Sequence, residues 1–437
     1  MTSLRGSRGS TTRVGRGAPG GIANPARPSG AYRGLAPLAP GRGGFSPGQA
    51  ARRERSGMLR RLSRRAFDKK SPFRHFDWIL LAGVLALSLI GTLLVWSSTS
   101  SSAGHGYLTR QLLVIALGLV VMVGVSFLSY RQIRVYAPVV YILSTLALLA
   151  VLVLPAHLTT VNGAHSWISL PGGFQQEPSE YAKLSVILIS AILLSEVRQG
   201  DTRPRLRAIV IALAVAAVPI VLVLAQPDLG VVMLLVALMV GLIGLSGIRL
   251  YWLFGGLGGA ALALVAVINL HLLKSYQASR LTSFLHPSAD PQGSGYSAHQ
   301  SKIAIGSGGL FGQGLFHGQL VQGNFVPEQH TDFIFAVAGE ELGFVGCAVI
   351  IALLALVLFR ALRIAAKADD QFGMLVASGV AIWFGVQAFI NIGMTMGIMP
   401  VTGLPLPFVS YGGSAMFADM IAVGCLQAVY RHHTVFS

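Results

Sequence analysis

The chain has 437 residues, of which 53% are hydrophobic and only 11% charged, and its mean hydropathy is +0.65. This composition excludes an ordinary soluble globular protein, because too few polar residues remain to cover a surface, and it indicates an integral membrane protein. The 33 basic residues exceed the 16 acidic ones, and most of this excess lies in residues 1–74.

Residues 1–74 are rich in Gly, Ser, Pro and Arg and poor in large apolar residues. Such a segment cannot bury enough apolar surface to offset its ordering entropy, so we expect a disordered basic tail in the cytoplasm. Anionic lipids of the inner leaflet are its favoured partner. Nucleic acid is the less favoured alternative, because few aromatic residues are interleaved with the arginines.

Ten runs reach or approach the roughly 20 apolar residues that a spanning helix needs. We therefore predict an all-α, polytopic integral membrane domain over residues 75–430 with about ten transmembrane helices, followed by a short C-terminal segment, residues 431–437. The predicted spans are residues 75–97, 111–129, 135–155, 178–197, 206–225, 229–247, 250–273, 330–359, 371–396 and 405–430.

The placement of Lys and Arg predicts the orientation of these spans. With the tail in the cytoplasm, the inner connections hold most of the basic residues, as the positive-inside rule requires, and both termini are cytoplasmic. The connection between the seventh and eighth spans, residues 274–329, is then a long extracytoplasmic loop. It contains a helical stretch, residues 297–305, and a glycine cluster, residues 306–314, that lacks phosphate-loop spacing and predicts tight turns instead.

Ionisable residues within spans mark candidate functional sites, because they are costly unless they are paired or face a polar cavity. Glu180 and Lys183 lie three residues apart, on one face at the outer end of the fourth span. An intrahelical ion pair is the structural alternative. The long loop supplies Asp290, Arg280 and Lys302, and a carboxylate beside cations suits chemistry on a lipid-linked anionic substrate.

Other polar residues have competing structural explanations. Asp228 is placed to cap the sixth span. Glu328 and His330 are pocket candidates where the eighth span begins, but a helix cap explains this cluster equally well. Capping does not account for the acids that lie within spans, which are Glu340, Glu341 and Asp419.

Four stretches together resemble the SEDS (shape, elongation, division, sporulation) family of membrane proteins. The resemblance covers residues 75–430 in the right order, and within the family the C-terminal stretch looks more like the elongation members than the division members. The stretches are NGAHSWISL (162–170) with PSEYAKL (178–184), QPDLG (226–230), residues 290–314 with 327–346, and residues 391–415.

This resemblance implies a bacterial plasma-membrane enzyme, a peptidoglycan glycosyltransferase that polymerises lipid II into glycan strands during cell elongation. It also implies ten transmembrane helices and a class B penicillin-binding protein as the crosslinking partner. The family's essential loop aspartate matches Asp290, and its functionally sensitive Glu and Lys match Glu180 and Lys183. Two positions depart from the family pattern, Glu177 and Ser166.

The resemblance suggests Asp290 as the general base on the acceptor hydroxyl. Lys183, Arg280, Lys302 or a divalent cation such as Mg²⁺ would offset the charge on the departing pyrophosphate, and no organic cofactor is expected. The alternatives are a lipid II flippase, a non-enzymatic scaffold for the penicillin-binding protein and, within the family, a division-type protein.

Overall fold

The computed structural model describes residues 75–100, 106–155, 159–161, 164–170, 174–196, 206–247 and 294–436, with positions 255 and 258–259. The predicted tail, the predicted seventh span (250–273) and the first part of the long loop, with Arg280 and Asp290, lie outside the described residues.

The described residues form helices and two small β-hairpins, and both hairpins lie between the third and fourth helices. The helices are α1 (Trp78–Thr99), α2 (Gly106–Ser126), α3 (Tyr130–Val153), α4 (Pro178–Ser195), α5 (Leu206–Ala225), α6 (Leu229–Leu245), α7 (Ser294–Ser307), α8 (Gln319–Gln322), α9 (Ile334–Ala366), α10 (Gln371–Thr395) and α11 (Gly413–Phe436). The strands β1 (Thr160–Val161) and β2 (Ala164–His165) pair antiparallel, as do β3 (Ile168–Leu170) and β4 (Phe174–Gln176).

The prediction of a polytopic helical membrane protein is confirmed. Eight of these helices are long and apolar enough to cross a membrane, and α6 is a shorter apolar helix of 17 residues. The total of ten spans and the cytoplasmic placement of both termini stay predictions. The hairpins between α3 and α4 were not predicted, because strands of two or three residues leave no periodic signal.

The predicted start of the last span, at residue 405, is wrong. Residues 400–406 have no regular structure, and α11 begins only at Gly413. Pro405 and Pro407 lack the backbone N–H that a helix interior needs, so the chain approaches α11 as a non-helical segment.

Side-chain caps set the start of several helices. The predicted cap at Asp228 is confirmed, since its carboxylate accepts a hydrogen bond of 3.1 Å from the N–H of Val231 at the start of α6. Asp77 caps α1 and Asp370 caps α10 in the same way. Each cap satisfies an N–H that the first helical turn leaves without a partner.

The helices differ in how much of their surface lies inside the protein. In α4, α10 and α11, 72% of the membrane-crossing segment is buried, against 22% in α2 and α3. Helices α4, α10 and α11 are therefore central. Helices α2 and α3 present apolar faces outward, where lipid is the expected contact. The buried polar side chains of the three central helices, among them Lys183, Gln387 and Asp419, are consequently interior groups.

The described part of the long loop is ordered around α7, which confirms the helix expected at residues 297–305. The glycine cluster forms tight turns, as predicted, with left-handed φ angles of 55° at Gly309 and 79° at Gly312. The helix α9 is interrupted at Gly343, where φ is 66° and ψ is −165°. These turns and the interruption place the loop against the first part of α9.

Candidate functional site

A buried ion pair lies at the start of α4. Lys183 Nζ is 2.6 Å from Glu180 Oε2, and the two side chains are 0% and 2% exposed. Lys183 also donates a hydrogen bond of 2.9 Å to Gln387 Oε1 on α10 and lies 5.0 Å from the ring centre of Trp383. The pair is intrahelical, as the structural alternative required, but it also connects α4 to α10.

Two further acids belong to this group, which we call the α4 charge cluster (Glu177, Glu180, Lys183 and Asp419). Asp419 on α11 is buried, interacts electrostatically with Lys183 and Glu180, and accepts a hydrogen bond from the backbone N–H of Phe408. Glu177 stands just before α4 and accepts a 2.7 Å hydrogen bond from Ser179. Burial, and secondarily the negative charge of Glu180, raise the pKa of Glu177 well above its usual value.

The second hairpin, formed by β3 and β4, and the start of α11 form one wall of this cluster. The backbone N–H of Glu177 donates to Ser414 Oγ at 2.9 Å, and Ser414 Oγ donates to the carbonyl of Gln175 at 3.4 Å. The hydroxyl of Ser166, which is buried, donates to the carbonyl of Gln226 at 3.3 Å. Glu177 therefore belongs to this wall, whereas Ser166, the other departure from the SEDS pattern, contacts the segment between α5 and α6.

The non-helical segment before α11 is fixed by amide side chains of α10. Gln387 Nε2 donates to the carbonyl of Pro405 at 2.8 Å, and Asn391 Nδ2 donates to the carbonyl of Leu404 at 2.7 Å. Gln387 accepts from Lys183 and donates to Pro405, so it joins this segment directly to the α4 charge cluster.

The other predicted pocket residues lie on the loop side of the bundle. Lys302 is exposed on α7, where its side chain lies over Gly397. Glu328 is exposed and has a left-handed φ of 49°. His330 is half-buried between Tyr107 and Tyr411, with ring centres 4.9 Å and 5.7 Å away, and burial lowers the pKa of His330.

The helix-cap interpretation of this cluster is wrong, because α9 begins after Phe333 without a side-chain cap. Lys302, Glu328 and His330 lie on α7 and on the segment before α9, whereas the α4 charge cluster belongs to α4, α11 and the residue before α4. The predicted site residues therefore fall into two groups within the described chain.

A second set of buried acids, the α9 acid pair (Glu340 and Glu341), was not assigned from the sequence. Glu340 accepts backbone hydrogen bonds from Leu320 at 2.8 Å and Val321 at 3.0 Å. Glu341 accepts a 2.6 Å hydrogen bond from the hydroxyl of Ser97 on α1. The pair thus holds the segment around α8 against α9 and α1, and no local sequence signal points to these partners.

Arg280 and Asp290 lie outside the described residues, although α7 begins four residues after Asp290. Within the parts of the chain that the structure describes, no group of three His, Cys, Asp or Glu side chains could hold a metal ion. The α4 charge cluster can orient polar groups and hold charge in the interior of the membrane domain.

Comparison with protein families gives a match over nearly the whole described chain. A family model described as "FTSW_RODA_SPOVE: Cell cycle protein" matches residues 75–435. The chain is 40% identical over 367 residues to "Peptidoglycan glycosyltransferase MrdB" of Escherichia coli (strain K12), covering 83% of this chain and 95% of the relative. It is 38% identical over 364 residues to "Stage V sporulation protein E" of Bacillus subtilis (strain 168), covering 82% and 97%.

Solved structures give the same relationship. A chain from "Structural coordination of polymerization and crosslinking by a peptidoglycan synthase complex" superposes with a TM-score of 0.69 at 31% identity, covering 82% of this chain and 98% of the other. The crystal structure of the rod shape determining protein RodA of Thermus thermophilus superposes with a TM-score of 0.60 at 29% identity, covering 82% and 97%. The helical architecture is therefore shared with these proteins.

Proposed function

The chain belongs to the FtsW/RodA/SpoVE family of cell cycle proteins, and we propose that it is a peptidoglycan glycosyltransferase that polymerises lipid II at the bacterial plasma membrane. The observation that carries this proposal is the 40% identity, over 95% of the relative's length, to a protein named as a peptidoglycan glycosyltransferase. A multi-pass helical domain with buried charges at the loop side agrees with a substrate that has a lipid tail and a polar head.

In this proposal Asp290 is the general base. Its carboxylate takes the proton from the acceptor sugar 4-hydroxyl as that oxygen attacks the anomeric carbon of the lipid-linked donor. The bond to undecaprenyl pyrophosphate breaks, and the configuration at the anomeric carbon inverts. A positioned base of this kind contributes about 100-fold to 10,000-fold to the rate.

The departing pyrophosphate needs positive charge nearby, and the two candidate lysines, Lys183 and Lys302, differ in their suitability. Lys183 is buried and already engaged with Glu180 and Gln387. Lys302 is exposed on α7, the helix that follows Asp290 in the chain. We therefore assign Lys302, with Arg280 or a divalent cation such as Mg²⁺, to the pyrophosphate, and we assign Lys183 to the shape of the pocket.

A class B penicillin-binding protein is the proposed partner. Support comes from the similar chain solved within a peptidoglycan synthase complex that coordinates polymerisation and crosslinking. Elongation is the proposed cellular role, because the similar proteins include MrdB and a rod shape determining protein. The basic residues of the tail are proposed to bind anionic lipids of the inner leaflet.

The proposal is tested by polymerisation in vitro. Purified full-length protein, with and without a class B partner, receives labelled lipid II in buffers containing Mg²⁺ or EDTA, and the products are separated by size. We expect glycan ladders from the unsubstituted chain and none from Asp290→Asn. Asp369→Asn is the matched control, because Asp369 is an exposed acid between α9 and α10.

Other outcomes would overturn specific parts of the proposal. Ladders from Asp290→Asn would remove Asp290 from the mechanism. No ladder from folded protein with an active partner would favour the scaffold. If the same protein also moved labelled lipid II across vesicle membranes, the flippase would replace the polymerase.

A further inference from the structure

The turn between α7 and α8 exposes two large apolar side chains. Leu310 is 64% exposed and Phe311 is 80% exposed. Two neighbours on α9, Phe344 and Val345, are 67% and 45% exposed. These four residues, which we call the apolar rim, carry no charge and are contiguous, because the N–H groups of Phe344 and Val345 donate to the carbonyls of Gly309 and Leu310 at 2.9 Å and 3.1 Å.

The turn is held rigidly, so this exposure is a fixed feature of the fold. The N–H of Gln313 donates to the carbonyl of Glu340 at 2.9 Å, and that of Gly314 donates to the carbonyl of Glu341 at 3.0 Å. A Cβ at Gly312 would lie 2.2 Å from the carbonyl oxygen of Glu341, so only glycine permits this close approach.

The apolar rim lies where α9 changes from buried to exposed. Its first eight residues, positions 334–341, are all buried, and its exposed apolar residues begin with Phe344, just after the interruption at Gly343. A helix of 33 residues is about 50 Å long, whereas the hydrocarbon core of a bilayer is about 30 Å thick. The segment from residue 344 to 366 is about 35 Å long, which matches one crossing of the bilayer.

We propose that the apolar rim inserts into the membrane, with Leu310 and Phe311 at the boundary between acyl chains and headgroups of the loop-side leaflet. Contiguous exposed apolar surface marks a membrane or protein contact. Lipid is favoured here because the rim continues directly into the exposed apolar face of α9, where Val349, Ile351 and Phe359 are 46%, 46% and 59% exposed. The inference is independent of the proposed enzymatic activity.

Insertion has a structural consequence for the long loop. The turn follows α7 directly, and the Cβ position of Gly339 on α9 lies against Ile305 of α7. A turn anchored in the leaflet therefore fixes the depth of α7, and of the chain that enters it, relative to the membrane surface.

The test measures which medium surrounds the tip of the turn. Full-length Phe311→Cys protein is labelled with the fluorophore NBD and placed in lipid nanodiscs without any partner. Iodide reports exposure to water, and a phospholipid with a nitroxide near its headgroup reports contact with lipid. His317→Cys, on the same loop and also exposed, is the matched control. The unsubstituted chain, whose Cys347 and Cys425 are buried, gives the labelling background.

We expect the label at position 311 to lose most of the iodide quenching seen at position 317 and to be quenched by the nitroxide lipid. Equal iodide quenching at both positions, with no effect of the nitroxide lipid at 311, would overturn the proposal. Protection of position 311 that appears only after a class B penicillin-binding protein is added would also overturn it, in favour of a protein interface. Leu310→Cys repeats the measurement should Phe311→Cys fail to give monodisperse protein.

Discussion

The α4 charge cluster and the α9 acid pair both place carboxylates inside a membrane domain, but they compensate them differently. Glu180 on α4 faces the side chain of Lys183, which also contacts Gln387 on another helix. Glu340 on α9 faces two backbone N–H groups around α8. Glu340 is thereby fixed to the backbone of the loop, whereas Glu180 is paired with a side chain that also contacts another helix.

This difference assigns roles that the sequence left open. A buried charge is costly in both places, and ion pairs and hydrogen bonds offset that cost. At α9 the compensation holds the loop in place, so Glu340 and Glu341 position the described part of that loop. At α4 the interactions of Lys183 with Glu180, Gln387 and Asp419 join the central helices α4, α10 and α11. The α4 charge cluster is therefore the better candidate for a role in the reaction.

The largest expected effect comes from breaking the ion pair at α4. Lys183→Met leaves Glu180 buried without its cation, and the free energy of unfolding should fall by about 3–5 kcal/mol. The double variant Glu180→Gln with Lys183→Met removes both charges and should recover most of this loss. Thermal unfolding in nanodiscs measures both. If the double variant is as unstable as Lys183→Met alone, the unpaired charge of Glu180 is not the cause of the lost stability, and the prediction is wrong.

A smaller effect is expected at α9. Glu340→Gln replaces one acceptor oxygen by an NH₂ group, which leaves a backbone N–H at Leu320 or Val321 without an acceptor, and the cost should be about 1–3 kcal/mol. Hydrogen exchange should quicken at these two amides while α10 keeps its protection. Glu328→Gln, an exposed acid of the same loop, should change neither. Unchanged exchange in Glu340→Gln would mean that the carboxylate does not hold the loop.

The backbone of that loop provides a sharper test of the same anchoring. Gly314 has a φ of 93°, and its N–H donates to the carbonyl of Glu341. Gly314→Ala should cost about 1–2 kcal/mol, because an L side chain disfavours this conformation. Gly306→Ala is the control, since Gly306 is helical and has open space around its Cβ position, and it should be neutral or slightly stabilising. Equal midpoints of thermal unfolding for the two variants would contradict the account.

The smallest expected effect is a pH dependence at His330, which stands between the loop and the segment before α11. Burial lowers the pKa of His330 in the folded protein, so the unfolded chain takes up a proton first as the pH falls below about 6.5. Stability from this residue is therefore lost on acidification and unchanged above that pH. The difference in melting temperature between pH 7.5 and pH 5.5 should shrink in His330→Phe. If the difference in melting temperature is larger in His330→Phe than in the unsubstituted chain, burial does not lower the pKa of His330 and the prediction is wrong.

Local patterns in the sequence were sufficient for the features that depend on neighbouring residues. The spacing of Glu180 and Lys183 predicts their ion pair, Asp228 predicts its cap, and the hydropathy of the apolar runs predicts the helices. The glycine cluster predicts turns. In each case the interacting groups lie within a few residues of one another.

Contacts between distant segments left no such pattern. Asp419 meets the charges of α4 only because α11 packs beside it, and Glu340 reaches α8 only because the loop folds back onto α9. The late start of the last span is different, because Pro405 and Pro407 are a local signal that already marks the start of this span as broken, and the helix begins only after them. The proposed base Asp290 and the predicted seventh span lie outside the described residues, so these predictions stand on the sequence alone.

The central claim is that the charged pair at α4 serves the reaction while the acids at α9 hold the loop. The most direct test is the initial rate of glycan polymerisation per folded molecule, measured for the Glu180→Gln and Lys183→Met double variant beside Glu340→Gln. We predict that the polymerisation rate falls roughly 100-fold in the double variant, because a displacement of the reacting groups by about 1 Å costs about that much in rate. Glu340→Gln should retain most of the rate. A double variant that polymerises lipid II at the rate of the unsubstituted chain would contradict the claim.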